Sequence, residues 1–252
     1  MRVYLFDTLS GKKQLVERPR GKPLRLFVCG PTVYDSSHIG HARTYLVFDA
    51  LVKFLRRAGI PVFYLQNITD IDDKIIARAR KEGVSASSVA RKFLKEYWRD
   101  MKVLEINSVT KYALATKHIP QIARQVQTLI KKGFAYKILG DGYYFDISRF
   151  KDYGKLSRRT AVQAEDSVSR IDESVGKRHR GDFALWKFSK SGEPKWKTKL
   201  GEGRPGWHIE DTAITGRFFG PRYDLHGGGV DLKFPHHEAE IAQAEAASGR
   251  GP

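Results

Sequence analysis

The sequence predicts an α/β fold in which a parallel sheet carries helices on both faces. An apolar run over residues 24–29 indicates a short buried strand. Apolar side chains then recur at helical spacing over about 40–58, and Gly59 is placed to end that helix. Pro61 opens a second apolar run at 62–65. A strand, a helix of this length and a second strand form a βαβ unit, whose two strands run parallel.

The next part of the chain predicts three more helices and a hairpin. Apolar positions at helical spacing indicate helices over about 71–82, 86–104 and 119–132. Two aromatic-rich runs around a Gly-Asp-Gly turn then predict a β-hairpin over 134–147.

The region from about 149 to 205 has a different composition. It holds about twice as many Lys and Arg as Asp and Glu, with repeated Gly, Ser and Pro and few apolar runs. This composition predicts an extended, solvent-facing insertion rather than a second core. Beyond it we expect a short strand at 223–226, a tight turn at 227–229 and a helix over 236–248.

The overall composition limits the classes of protein to be considered. The 252 residues include 45 Lys and Arg against 28 Asp and Glu, a formal charge of +17, and 41% are hydrophobic, which excludes a disordered basic tail. No window approaches the roughly 18 apolar residues of a membrane helix, and no secretory signal is visible. The charge favours a polyanionic partner such as nucleic acid, with ordinary solubility as the alternative. The single cysteine, Cys29, excludes an intrachain disulfide and fits a reducing, cytoplasmic setting.

A His-x-Gly-His string stands at the junction of the first strand and the first helix. Ligands of open α/β sheets bind at the carboxyl ends of strands, where a helix N-terminus offers free N–H groups to phosphate. His38 and His41 would lie on one face of the first helical turn, and Gly40 would let a planar base approach the backbone. This arrangement predicts binding of ATP and stabilisation of charge on its phosphates. The alternative is a histidine pair that only caps the helix.

Three segments carry residues that could bind a metal ion. Cys29 ends the first strand, residues 207–211 include His and acidic side chains, and His236 and Glu240 are spaced by one helical turn. Four candidate ligands from these segments predict a Zn²⁺ site. The alternative is a core cysteine and surface charges on a helix.

Two weaker motifs accompany these. The glycines at 227–229, followed by Asp231, could bring the backbone close to a ribose or base edge, although an ordinary turn needs the same residues. The string from Asn67 to Lys74 follows the second strand, where substrate contacts collect, but an acidic helix N-cap would look the same.

Together these strings resemble the cysteinyl-tRNA synthetase family over essentially the whole chain. The matching strings, in family order, are Cys29-Gly30-Pro31-Thr32-Val33-Tyr34-Asp35, His38 to Thr44, Asn67 to Lys74, Asp182 to Lys187, Pro205 to Glu210, His226 to Gly229 and Phe234 to Glu238.

The resemblance implies a class I synthetase fold, with a Rossmann-type sheet interrupted by a connective insertion and incomplete at the C-terminal end. The implied division is residues 1–104, an insertion over 105–204, and the second half from 205 to 252. It further implies activation of L-cysteine by ATP, with Mg²⁺, and transfer of cysteine to tRNA(Cys). It implies that His38 and His41 are catalytic and that they bind ATP together with Gly30, Gly40, Gly228 and Asp231. It implies that Thr69 and Trp207 bind the amino acid. The implied zinc ligands are Cys29, Asp211, His236 and Glu240, and in the family the zinc ion binds the substrate thiol.

Two departures from the family pattern accompany the resemblance. Asp211 occupies the position where the family usually has a second cysteine, which keeps the ligand charge but gives a harder donor. No KMSKS-like loop and no anticodon-binding domain follow the last helix. We therefore expect a truncated product, half of a split enzyme completed by a second chain, or a paralogue, with weak or no aminoacylation by this chain alone.

Two other functions remain open on the sequence. One is a related ligase that passes cysteine to a small-molecule amine, which would show cysteine-dependent ATP–pyrophosphate exchange without loading tRNA. The other is a non-catalytic module that holds tRNA or a synthetase partner, which would bind RNA with a steep salt dependence and show no exchange.

Overall fold

The computed structural model describes residues 2–17, 21–159 and 174–250. The strands in those ranges are β1 (Tyr4–Asp7), β2 (Lys12–Leu15), β3 (Leu24–Val28), β4 (Val62–Ile68), β5 (Lys111–Leu114), β6 (Ala135–Ile138), β7 (Gly142–Phe145), β8 (Phe183–Phe188), β9 (Trp196–Thr198), β10 (Gly201–Pro205) and β11 (Leu225–Gly227). The α-helices are α1 (Ile39–Arg57), α2 (Asp73–Glu82), α3 (Ala86–Val103), α4 (Ile119–Lys131), α5 (Ile209–Phe219) and α6 (His236–Ser248). Within these ranges, none of the helices has the length and apolar character needed to cross a membrane.

A four-stranded parallel sheet, in the order β11-β3-β4-β5, forms the centre of the first layer. The predicted unit of β3, α1 and β4 is present, with both strands parallel as expected. Strand β5 was not anticipated, because its apolar run of Tyr112, Ala113 and Leu114 is short and shows no alternation with polar residues. The carboxyl ends of β3 and β4 lie at the same edge of the sheet, which places Cys29 and Thr69 together there.

Helices α1, α2 and α3 share one hydrophobic core with this sheet. The predicted stripe on α3 is buried, and Tyr97 from it donates to the side-chain oxygen of Gln66 in β4 at 3.1 Å. Helix α2 ends at Gly83, whose φ of 66° is the left-handed conformation that glycine adopts readily. Ser85 caps the N-terminus of α3 through the backbone N–H of Ser88.

A second, antiparallel sheet has the strand order β6-β7-β8-β10-β9. Its first two strands confirm the predicted hairpin. The expectation of a solvent-facing insertion without a core was wrong for the described part of 149–205. Phe183, Leu185 and Trp186 are buried in a second hydrophobic core shared with α4, α5 and α6. These strands are short and form their core through contacts distant in sequence, so composition alone does not reveal them. Residues 160–173 of the predicted insertion lie outside the described residues.

Buried ion pairs join α2 to the antiparallel sheet. The Asp73 carboxylate accepts from Arg204 Nη2 at 2.5 Å and from Lys187 Nζ at 2.9 Å. Arg204 is only 5% exposed, and its Nε also approaches Glu193 Oε2 at 3.4 Å. Glu193 in turn pairs with Arg80 at 2.8 Å. This network fixes the first turn of α2 against β10, the strand that leads directly into the candidate site.

Candidate metal and nucleotide site

Four side chains from three parts of the fold converge where β3 ends. Cys29 follows β3, Asp211 lies in the first turn of α5, and His236 and Glu240 lie one turn apart on α6. One potential ligand atom from each of these residues lies within 4.8 Å of the others, and all four residues are buried. The structure therefore brings together the four residues that the family resemblance implied as metal ligands.

The chemistry of this cluster fits a bound cation. His236 Nε2 lies 3.1 Å from Asp211 Oδ2 and 3.2 Å from Glu240 Oε1. Asp211 Oδ1 is buried without a hydrogen-bond partner. Burial and the neighbouring carboxylates raise the pKa of the Cys29 thiol and of the Glu240 carboxyl well above their ordinary values. A thiol, an imidazole and two carboxylates gathered out of water favour a divalent ion, which would offset their repulsion.

The imidazole of His236 is oriented by residues outside the cluster. Its Nδ1 lies 2.7 Å from His208 Nδ1, so one of these two nitrogens carries the shared proton. A metal at Nε2 of His236 requires the proton on its Nδ1, which then donates to His208. Gln243 donates to the backbone oxygen of His208, and Trp207 stacks on the His236 ring with centroids 4.6 Å apart. We call Cys29, Asp211, His236 and Glu240 the metal cluster, after the ion that they could bind. The predicted pocket residue Trp207 thus lies directly against the metal cluster.

A second group shares one residue with the cluster. His226, His237 and Glu240 also bring three potential ligand atoms within 4.8 Å of one another. Burial and the neighbouring histidines hold the pKa of His237 far below its ordinary value, which keeps its imidazole neutral. Both histidines stand in the strings that carried the family resemblance. His237 lies one turn before Glu240 on α6, whereas the proximity of His226 to Glu240 depends on how β11 packs beside α6, which the sequence pattern does not give.

Thr69 lies at the end of β4 in a small buried polar network. Its hydroxyl donates to the Glu210 carboxylate, and Asn67 Nδ2 approaches the same hydroxyl at 3.5 Å. The backbone N–H of Gly30 donates to Asn67 Oδ1 at 2.6 Å. A side chain at Gly30 would overlap the backbone carbonyl of Asn67, so this close approach requires glycine. Sequence reasoning did not single out Glu210, although it follows Trp207 and His208 in a motif string.

His38 and His41 form a capping box at the N-terminus of α1. His38 Nδ1 accepts from the backbone N–H of Gly40 at 3.1 Å, and the backbone N–H of His38 donates to His41 Nδ1 at 3.3 Å. The two rings lie 4.0 Å apart. The two histidines therefore cap the helix, as the alternative interpretation predicted, and both imidazoles lie at its N-terminus. Burial and neighbouring His38 lower the pKa of His41, which keeps its ring neutral at pH 7.

The glycines predicted to make room for ATP also make room for the protein's own side chains. A Cβ at Gly40 would meet the His38 ring, and one at Gly228 would meet the His237 ring. Asp231 lies near enough to His41 to oppose the lowering of its pKa. The structure thus places Gly40 beside the histidine pair and Gly228 beside the metal cluster, while their contacts with a nucleotide stay a prediction.

Comparison with known proteins identifies the family. Residues 15–252 match the family model described as tRNA synthetases class I (C) catalytic domain. The chain belongs to this family. The family resemblance inferred from the motif strings is therefore confirmed.

The curated relatives of this class I (C) domain are named cysteine–tRNA ligases. The cysteine–tRNA ligase of Thermoplasma acidophilum is 55% identical over 250 residues, which cover 99% of this chain and 54% of that protein. The corresponding ligase of Thermoplasma volcanium is 53% identical over 249 residues, covering 98% and 54%. That of Thermococcus kodakarensis is 47% identical, covering 99% and 52%. The chain spans about half the length of these relatives.

Solved structures confirm the fold class. A methionyl-tRNA synthetase of Mycobacterium tuberculosis, determined with methionyl-adenylate, superposes with a TM-score of 0.67 over 92% of this chain and 56% of that one, at 17% identity. An arginyl-tRNA synthetase from Campylobacter jejuni, titled as putative, gives a TM-score of 0.56 over 92% and 53%, at 12% identity. At such low identities the likeness supports the predicted class I architecture alone.

Proposed function

We propose that this class I (C) domain activates L-cysteine with ATP and passes the cysteinyl group to tRNA(Cys). The observation that carries the proposal is the buried cluster of Cys29, Asp211, His236 and Glu240 beside the His38–His41 helix N-terminus. A cluster with a thiol ligand suits a site that selects a thiol-bearing amino acid. The names of the curated relatives support the same activity.

We propose zinc as the resident metal, held by the cysteine, aspartate, histidine and glutamate of the cluster. Bound zinc would supply a Lewis acid that prefers a thiolate to a neutral hydroxyl, and so would separate cysteine from serine where shape alone cannot. Asp211 supplies an oxygen where the family usually has sulfur. The set keeps three anionic ligands and one neutral imidazole, which suits a divalent ion.

The reaction proposed for the first step needs no general base, because the nucleophile is already a carboxylate. An oxygen of the cysteine carboxylate attacks the α-phosphorus of ATP, and the bond from that phosphorus to the bridging oxygen of pyrophosphate breaks. His38 and His41 would stabilise the charge that develops on the phosphoryl oxygens. A neutral His41 acts there as an N–H donor, with Mg²⁺ accompanying ATP.

The other predicted residues have positioning roles in this proposal. Gly30, Gly40 and Gly228 keep the backbone close to the nucleotide, and Asp231 would bind its ribose or base edge. Thr69 and Trp207 would enclose the amino acid beside the metal cluster.

The tRNA partner is supported by the formal charge of +17. The division into residues 1–104, 105–204 and 205–252 remains our proposal for the domain organisation. We further propose that loading of tRNA requires segments equivalent to the other half of the relatives, from the same or a second chain. A free thiol at Cys29 fits a reducing, cytoplasmic environment.

The decisive experiment is ATP–pyrophosphate exchange by the zinc-loaded protein, with cysteine and with serine, without and with tRNA(Cys). We expect exchange that depends on cysteine and is negligible with serine. Exchange without any tRNA loading, even after addition of a relative's C-terminal half, would favour the small-molecule ligase. RNA binding without exchange would favour the non-catalytic module and contradict the proposal.

A further inference from the structure

Lys74 places its ammonium group between two aromatic rings at the candidate site. Its Nζ lies 5.2 Å from the ring centroid of Tyr34 and 5.7 Å from that of Trp207. Both distances are within the range of cation–π attraction. The side chain is otherwise exposed to solvent, so its ammonium is held in place by the rings while remaining accessible.

Both rings belong to the site rather than to the general surface. Tyr34 lies in the segment that connects Cys29 of the metal cluster to His38 of the proposed ATP corner. Trp207 stacks on His236 of the metal cluster, with an interplanar angle of 23°. The ammonium of Lys74 therefore lies against a ring that packs on the metal cluster and against a ring from the segment that leads to His38.

The neighbouring acidic residues form no direct ion pair with this ammonium, although the Asp72 carboxylate is close enough to feel its charge. In the described part of the chain, no carboxylate oxygen lies within 4.0 Å of Lys74 Nζ. Asp72 uses its side chain to cap the backbone N–H of Lys74 at 2.8 Å. Asp73 is occupied by Lys187 and Arg204. Lys187 thus differs from Lys74, because its charge is matched by a carboxylate.

Fold stability does not account for a lysine at this position. Lys74 is the second residue of α2, and the positive end of a helix dipole disfavours a cation in the first turn. The rings of Tyr34 and Trp207 attract the ammonium of Lys74, but they do not neutralise its charge. A positive group that is oriented, accessible and without a direct ion-pair partner is suited to binding an anion.

We propose that Lys74 binds the anionic centre of the reaction, first the carboxylate of the amino acid and then the phosphoryl group of the aminoacyl-adenylate. This inference rests on the proposed function and adds a binding residue to it. The same anion chemistry has a second source, the phosphodiester at the 3′ end of tRNA. The position of Lys74 against Trp207, which covers the metal cluster, favours the adenylate.

The test compares Lys74→Met, which keeps an apolar stem between the rings, with Lys74→Arg, which keeps the charge. Lys81→Met, at an exposed position on the same helix, is the matched control. The probe is 5′-O-(N-cysteinylsulfamoyl)adenosine, whose ionised acyl sulfamate stands in for the adenylate phosphoryl group. Its affinity is measured by calorimetry at several salt concentrations, with zinc content and unfolding midpoint recorded for every variant.

We expect Lys74→Met to weaken the analogue at least tenfold and to reduce the salt dependence of binding, while Lys74→Arg and Lys81→Met stay within about threefold of wild type. A second arm measures binding of a minihelix RNA ending in CCA. Loss confined to this arm would retain the anion site and assign it to the RNA. Unchanged affinity in both arms, or equal loss in Lys74→Arg and Lys74→Met, would overturn the inference.

The same series separates this inference from the proposed function. Wild-type protein that binds the analogue and performs exchange, with Lys74→Met indistinguishable from it in both arms, would overturn the role of Lys74 alone. Wild-type protein that neither binds the analogue nor performs exchange would overturn the proposed function and the inference that rests on it.

Discussion

Zinc binding to the metal-free protein should displace protons from the cluster, and their number can be derived from the site. Burial and nearby carboxylates raise the pKa of Cys29 and of Glu240 well above their ordinary values. Both groups therefore hold protons at pH values where the same groups in an unfolded chain would hold fewer. A metal ligand must be deprotonated, so binding of zinc competes with these protons.

The expected magnitude follows from this count. Where both groups hold their protons, we expect two protons to be released for each zinc ion bound, one from the thiol and one from the carboxyl. Each released proton changes the affinity about tenfold per pH unit, so zinc affinity should rise about a hundredfold per pH unit in that range. The number released should fall as the pH rises and either group loses its proton in the metal-free protein.

Calorimetric titration with zinc in two buffers of different ionisation enthalpy measures the protons released directly. Glu240→Gln and Cys29→Ser are the matched variants, and each should release about one proton fewer than wild type where both groups are protonated in the metal-free protein. Asp211→Ala should weaken zinc binding because it removes one of four ligands. Zinc binding that releases no protons, or that is unchanged in all three variants, would refute this reasoning.

Four further outcomes follow from the structure. Arg204→Met removes the buried cation shared by Asp73 and Glu193, each of which keeps one other cation, and should lower the free energy of unfolding by about 1–3 kcal/mol in urea titrations, whereas Lys195→Ala, at an exposed ion pair, should cost less than about 1 kcal/mol; equal losses would contradict the argument. Gly30→Ala forces a methyl group into a backbone carbonyl and should cost about 2–4 kcal/mol, and a cost near zero would mean that the close approach relaxes freely. His41→Ala should reduce the exchange rate by about 10²–10³-fold, and unchanged exchange kinetics would remove His41 from the machinery. In the metal-free protein, the raised pKa of Glu240 means that this group binds more protons in the folded than in the unfolded state above about pH 4.3, so its contribution to stability falls as the pH rises until the folded pKa is passed; the free energy of unfolding of wild type relative to Glu240→Gln should therefore decrease over this range, and a relative increase would contradict the sign.

The part of the fold that could be predicted is the part in which local pattern and tertiary environment agree. Helix α3 buries one stripe and exposes the other side, so its periodicity is visible in the sequence, and the unit of β3, α1 and β4 follows from its lengths. Helix α5 escaped prediction because polar residues such as Glu210 and Thr212 are buried together with its apolar ones, which removes the amphipathic pattern. The last three strands of the antiparallel sheet, β8 to β10, escaped prediction because they are short and because β8 joins the predicted hairpin through β7, which is distant in sequence.

The site also contains residues that could be predicted from the sequence and residues that could not. Cys29 and the spacing of His236 and Glu240 suggested ligands from local position, and the family resemblance supplied Asp211. The roles of His208 and Glu210 were not predictable, because a histidine that orients another histidine is defined only by a contact between α5 and α6. Lys74 was visible only as the last letter of a motif string, since its aromatic neighbours come from two other segments.

The measurement that tests the central claim most directly is the absorption of the Co²⁺-substituted protein as cysteine is added. Cobalt held by the cluster has one protein thiolate, from Cys29, and a bound substrate thiolate makes two. We predict that the near-ultraviolet charge-transfer band roughly doubles with cysteine and does not change with serine. A band whose absorbance does not change with cysteine, or changes equally with both amino acids, would contradict a metal site that selects the substrate through its thiol.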